Sequence, residues 1–224
     1  MAKTRVLVLA AHPDDEVLGC GGTIAQHVLA GHKVTVMIAA GRSSAESGYG
    51  ISQIEMSGAA LSELGITDLV HLQLTDQRLD THPILDLTRS IEAVVKKVDP
   101  NVVYMQWGGD VNFDHTALFR AALVAVRPTN DHLREVFAFD TLSSTEWGYP
   151  RDFIPDTWID ITATLDMKIK AMQQYKHELR EFPHPRSLIA LEAKARHVGS
   201  QACLSAAEAF MTIRRILKNG QTPV

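Results

Sequence analysis

Val6-Leu7-Val8-Leu9-Ala10 is apolar at every position, with no alternation of apolar and polar side chains. A strand with one face in water alternates, so an unbroken run marks a strand covered on both faces, as in a parallel sheet. Residues 34–40 and Val102-Val103-Tyr104-Met105 have the same character, and residues 69–74 read as a further short strand. Helical patterns lie between and after them over 17–30, 52–64, 84–98 and 116–126, with stops at Gly65 and before Pro100. Strands alternating with helices predict βαβ units with right-handed crossovers, and therefore an α/β fold: a doubly wound, mostly parallel sheet with helices on both faces. Beyond about residue 127 the rhythm changes. Residues 136–142 and 157–161 read as strands, 163–179 as a long helix, 180–187 as a loop with Pro183 and Pro185, and 188–197 as a last helix. No linker, internal repeat or low-complexity tract separates these parts. Residues 1–224 are therefore expected to form a single domain with a C-terminal helical and strand extension.

At 224 residues with 46% hydrophobic and 21% charged side chains, the chain can bury a sizeable core, which excludes a disordered or coiled-coil protein. Its net charge of −4 offers no cationic footprint for a polyanion, so nucleic acid is excluded as the main partner. No apolar stretch approaches the roughly 20 residues of a membrane-spanning helix. The basic start Met1-Ala2-Lys3-Thr4-Arg5 is followed by an apolar run, Val6 to Ala11, too short for an export signal. Cys20 and Cys203 are too few and too distant for a disulfide framework, which points to a reducing compartment and a cytoplasmic protein. The sequence leaves a homo-oligomer open. Ten histidines, against four tyrosines, stand out.

The first buried run leads straight into Ala11-His12-Pro13-Asp14-Asp15-Glu16, then Gly19, Gly21 and Gly22. The carboxyl end of a strand is where open α/β sheets bind ligands. His12 and Asp15, three apart across a turn fixed by Pro13, can aim at one point, and imidazole with carboxylate is an ordinary divalent-metal set. Capping the next helix would need only one acid. A catalytic metal typically takes three protein ligands and keeps one position open. The fourth apolar run ends in a segment reaching Asn112-Phe113-Asp114-His115 before a helix. In a sheet of order 3-2-1-4-5 the first and fourth strands are neighbours at the switch point, so His115 can complete a triad with His12 and Asp15. The glycines suggest a dinucleotide fingerprint, but acids occupy the strand end and would repel a pyrophosphate.

These residues resemble the zinc-dependent de-N-acetylases of the PIG-L/LmbE-like family, in the Ala-His-Pro-Asp-Asp-Glu strand end and the later Asp114-His115. The resemblance continues through Asp160-Ile161, Lys168, Tyr175-Lys176, Pro183-His184-Pro185-Arg186-Ser187, Gly199 and Ala207-Glu208-Ala209-Phe210. It implies a Rossmann-like fold and removal of an acetyl group from a small-molecule substrate containing N-acetylglucosamine. It further implies one Zn²⁺ per chain on His12, Asp15 and His115, a set that also accepts other divalent metals. Asp14 is then the general base on the attacking water. Many members have His-Pro-Asp-His where this chain has Asn112-Phe113-Asp114-His115. Asn112 can donate to an oxyanion but cannot supply a proton, and His184 is a candidate for the missing imidazole. Asp114 is expected to orient Asn112 or a neighbouring donor. Several members carry a substrate-binding arginine near the position of Gln53. Arg42, after the second strand, can replace that contact on a sugar hydroxyl or a phosphate. Asp76 matches a family acid that accepts from sugar hydroxyls, and Arg186 reads as a partner for an acid or for substrate.

His27, His32, His71, His82, His132, His177 and His197 have no partner at ligand spacing and read as surface or locally bonded residues. Cys20, inside Gly-Cys-Gly-Gly, reads as a packing residue. Two other functions stay open: a non-catalytic metal- or sugar-binding module, and an amidase for a different N-acyl conjugate. Asp14, which zinc ligation does not need, argues for catalysis.

Overall fold

In a computed structural model, which describes residues 3–43, 46, 48, 52–129 and 132–218, the apolar runs become strands of one seven-stranded sheet. Arg5–Ala10 (β1), Lys33–Ala40 (β2), Leu69–Leu74 (β3), Val102–Gln106 (β4) and Glu135–Phe139 (β5) pair in parallel in the order β3-β2-β1-β4-β5. The helices Asp15–Leu29 (α1), Gln53–Glu63 (α2), Ile84–Val98 (α3) and Phe113–Ala125 (α4) connect them. Successive residues of β1 serve opposite faces. Val6, Val8 and Ala10 join a core with Val17 and Ile24 of α1 and Met56 and Leu61 of α2. Leu7 and Leu9 join Leu87 and Ile91 of α3 and Leu118 and Ala122 of α4. Both faces of the strand are dry, which is why its sequence does not alternate.

The C-terminal third contains Thr157–Asp160 (β6), Leu165–Gln174 (α5), Leu188–Ser200 (α6) and Ala207–Arg215 (β7). The helix expected over 163–179 is the shorter α5, followed by non-helical backbone at Tyr175. β7 was not expected as a strand at all. It runs antiparallel between β5 and β6, giving the full order β3-β2-β1-β4-β5-β7-β6.

The charge that hides β7 in the sequence, Glu208, is buried and fully engaged. Its carboxylate accepts the backbone N–H groups of Gly22 (2.9 Å) and Thr23 (2.7 Å) and the Lys168 ammonium (2.5 Å). α1 supplies those donors because its backbone leaves helical geometry at Cys20 (φ −142°, ψ 22°). Lys168 also donates to the Leu18 carbonyl (2.9 Å), so one buried ion pair satisfies both sides of the break. α1 can lie this close to the sheet because of two glycines. A Cβ on Gly19 would stand 2.1 Å from the Phe139 ring, and one on Gly22 would stand 2.8 Å from Ile161. Cys20, buried at the break, and Cys203 are free thiols. Among the described residues no helix is long and apolar enough to cross a membrane.

Candidate metal centre and active site

Where β1 ends, the chain turns sharply through His12-Pro13-Asp14 into α1. Asp14 takes φ 107°, a left-handed conformation that costs an L residue about 1–3 kcal/mol. Hydrogen bonds hold it there. Its N–H donates to Glu16 Oε2 (3.2 Å), its carbonyl accepts from the N–H groups of Val17 (3.0 Å) and Leu18 (2.8 Å), and the buried Tyr175 hydroxyl donates to Glu16 Oε1 (2.5 Å). The turn points His12, Asp14 and Asp15 into a cavity of about 340 Å³ at the carboxyl end of the sheet.

β4 delivers the second half of the site into the same cavity. His12 Nδ1 and His115 Nε2 stand 3.3 and 3.5 Å from Asp15 Oδ2, with the two rings 5.4 Å apart between centroids. The opposite nitrogen of each ring is held by a carboxylate. His12 Nε2 is 2.9 Å from Asp114 Oδ2, and His115 Nδ1 is 2.7 Å from Asp110 Oδ2. Those contacts place an N–H of each ring toward Asp114 or Asp110, so that the nitrogen facing Asp15 is the one that takes either a proton or a metal. His115 Nε2 is buried without any hydrogen-bond partner, the mark of a nitrogen meant for a ligand. His12, Asp15 and His115 therefore fit one divalent cation. His12, Asp76 and Asp114 form a second cluster of metal-ligand types. Asp114 is already spent there, because its Oδ1 accepts the Leu79 N–H (2.9 Å) while Oδ2 faces His12.

Burial opposes charge on both imidazoles, but the acids around them win. Hydrogen bonds to Asp114 and Asp15 and the charges of Asp15 and Asp76 bring His12 up to about 10. The charge of Asp15 and the hydrogen bond to Asp110 bring His115 up to about 9. Asp15 is held below the usual carboxylate range, since the two imidazoles outweigh its burial. Asp14 is the contrast: burial and then the charge of Asp15 raise its carboxyl, and Arg186, with Nη1 3.5 Å from Asp14 Oδ2, acts in the opposite direction.

The wall facing the metal set is built on Glu178. Its Oε1 accepts from Arg42 Nη2 (2.8 Å) and Gln53 Nε2 (2.9 Å), and its Oε2 from Arg186 Nη1 (3.1 Å). Gln53 Oε1 in turn accepts the Arg42 N–H (2.7 Å), and Arg42 Nε lies 3.3 Å from Asp76 Oδ2. Arg42, Asp76 and Arg186 all line the cavity, as do Asp14 and Asn112.

One sequence expectation resolves to its second alternative and one needs correction. Of the two partners expected for Asp114, Asn112 or a neighbouring donor, its carboxylate takes the neighbouring donors His12 and Leu79, while its backbone N–H donates to Asn112 Oδ1 (2.9 Å), which caps α4. His184 does not replace a cavity imidazole. It lies outside the lining, with its Nδ1 accepting the Arg186 N–H (3.0 Å) and its ring against Trp147. Asp110, Glu178 and the Glu16–Tyr175 pair were missed. Asp110 lies five residues before His115, in the loop that leads into α4, and could have been found from that proximity, whereas the partners of Glu178 are scattered along the chain.

A family model described as PIG-L: GlcNAc-PI de-N-acetylase matches residues 7–126. A 1D-myo-inositol 2-acetamido-2-deoxy-alpha-D-glucopyranoside deacetylase of Mycolicibacterium vanbaalenii is 25% identical, over 84% of this chain and 85% of that protein. The N,N'-diacetylchitobiose deacetylase structure from Pyrococcus horikoshii superposes with a TM-score of 0.77 at 17% identity, covering 95% of this chain and 85% of that one. The 4-carboxy-2-hydroxymuconate hydratase structure from Pseudomonas putida KT2440 gives a TM-score of 0.75 at 20% identity, covering 98% and 100%. These structural likenesses establish the fold alone, and a hydratase shares it, so the reaction has to be argued from the site.

Proposed function

The chain belongs to the PIG-L family of de-N-acetylases, and from that premise we propose that it hydrolyses the acetamide of an N-acetylglucosamine-type sugar joined to a further group. One divalent metal, zinc by preference, would be held by His12, Asp15 and His115. The observation that carries this reading is the pairing of functions in one cavity. A His/Asp/His set with both imidazoles backed by carboxylates adjoins Asp14, a buried acid with no ligand role.

When bound, the metal polarises the acetyl carbonyl and makes water acidic enough to lose a proton near neutral pH. Asp14 takes that proton. Its burial and the neighbouring Asp15 favour the protonated carboxyl, which can then return the proton to the departing sugar nitrogen as the C–N bond breaks. The products are acetate and the free amine. Asn112 uses Oδ1 in the helix cap, and its Nδ2 group serves as a hydrogen-bond donor to the developing oxyanion. Arg42, Asp76, Gln53 and Arg186 offer alternating donors and acceptors to sugar hydroxyls. The free thiols Cys20 and Cys203 suit a reducing compartment, and the cytoplasm is the proposed location.

The test is metal analysis of the purified protein together with acetate release from N-acetylglucosamine, free and joined to inositol or to a second sugar. One metal per chain and acetate from at least one conjugate are expected. Bound metal without acetate from any of them would favour a binding module, or another reaction of the kind the hydratase performs on this fold.

A further inference from the structure

Several large apolar side chains stay exposed on segments that adjoin cavity-lining residues, among them Phe113, Trp147 and Phe182. Trp147 is the one whose place is fixed from two sides. It ends the short turn Thr145–Trp147, three residues after Ser144, which lines the cavity. Its indole meets the His184 imidazole edge-on, with centroids 6.1 Å apart and planes at 90°. His184 belongs to the loop whose Arg180 and Arg186 also line the cavity. Trp147 therefore joins, through His184, the two loops that supply Ser143 and Ser144 and Arg180 and Arg186 to the cavity lining.

The bridge is held firmly. Trp147 N–H donates to the Ser144 carbonyl (3.2 Å), and the Glu146 carboxylate accepts the N–H groups of Ser143 (2.7 Å) and Ser144 (3.1 Å). Gly148 packs on the loop after β4 so closely that a Cβ there would stand 2.8 Å from the Gly109 carbonyl oxygen. Trp147 is nevertheless 54% exposed. A half-exposed indole carried on a hydrogen-bonded turn next to a polar cavity offers an apolar face to a ligand that extends out of that cavity. Arg180 and Glu146 lie close enough to act on His184 electrostatically, so the surface is small and edged by charge. That shape suits the C–H face of a polyol ring, with hydroxyls at its edge, better than a lipid chain, which needs a continuous apolar groove.

We propose that Trp147, with His184 beside it, is a stacking platform for the ring attached to the amino sugar, a second pyranose or a cyclitol. The proposal rests on the de-N-acetylase reading for the sugar inside the cavity. Trp147 is then a specificity-determining residue for the part of the substrate that does not react.

Trp147→Ala and Trp147→Phe are compared with the unaltered protein on N-acetylglucosamine, N,N'-diacetylchitobiose and N-acetylglucosaminyl-inositol. Trp147→Ala is expected to lose roughly tenfold in kcat/KM on a two-ring substrate, mainly through KM, to leave the monosaccharide within about twofold, and Trp147→Phe to recover most of the loss. Equal effects on one-ring and two-ring substrates overturn the platform. A change of oligomeric state on size exclusion with unchanged kinetics also overturns it, in favour of an interface with a second copy. Calorimetric titration with chitobiose and glucosamine separates the two claims. If no N-acetyl sugar yields acetate, the de-N-acetylase reading falls. Tighter binding of chitobiose to the unaltered protein than to Trp147→Ala still upholds the platform, and equal or absent binding overturns it.

Discussion

Each imidazole of the candidate metal site has a carboxylate behind one nitrogen and faces Asp15 with the other, an arrangement that suits a metal ligand. Asp110 does for His115 what Asp114 does for His12. Without a cation, protons hold the place where metal would sit, since the surrounding acids bring His12 to about 10 and His115 to about 9. Asp110→Asn removes a charge but keeps a hydrogen-bonding shape. It should weaken metal binding about 10- to 100-fold, read by competition with a chelator of known affinity. Unchanged affinity would show that Asp110 only fills space. His12→Ala and His115→Ala should both yield protein purified without its metal, by elemental analysis, and metal retained at full occupancy in either would remove that residue from the ligand set.

The break in α1 is the feature of the elements that depends most on a distant contact. Gly22 and Thr23 lose helical partners at the break and find Glu208 of β7 instead, with Lys168 of α5 closing the pair. Lys168→Met leaves a buried carboxylate without its cation and should cost about 3–5 kcal/mol in denaturant unfolding. A loss below about 1 kcal/mol would mean that the N–H groups of Gly22 and Thr23 satisfy Glu208 without Lys168. The same contact explains what the sequence could and could not reveal. β1 to β5 and the positions of His12, Asp15 and His115 were legible because each follows from local pattern plus one rule of sheet topology. β7 was not, because its buried Glu208 reads as a solvent residue until Gly22, Thr23 and Lys168 are seen around it. Glu178 was hidden for the same reason: its partners Arg42, Gln53 and Arg186 come from three separate segments. His184 has the right chemistry for an active-site imidazole, but its loop turns it toward Trp147.

At the scale of the whole molecule, the metal site couples stability to pH. His12 and His115 are raised in the folded protein from an unfolded value of 6.5 to about 10 and about 9. Their contribution to the metal-free protein is fully present below pH 6.5 and is lost as pH rises through those folded values. The Tm of chelator-treated protein should therefore fall between about pH 7 and pH 10, and saturating zinc should raise Tm throughout by binding the folded state. A flat profile in chelator, by scanning fluorimetry, would contradict the ion pairs drawn here. The central claim, that a metal set and a separate proton carrier share one cavity, is tested most directly by Asp14→Asn. Metal content and acetate release are measured on the same preparation as the unaltered protein. Full metal occupancy with turnover reduced by at least about 100-fold is expected. Asp14→Asn that keeps full turnover, or that loses its metal along with its turnover, would contradict it.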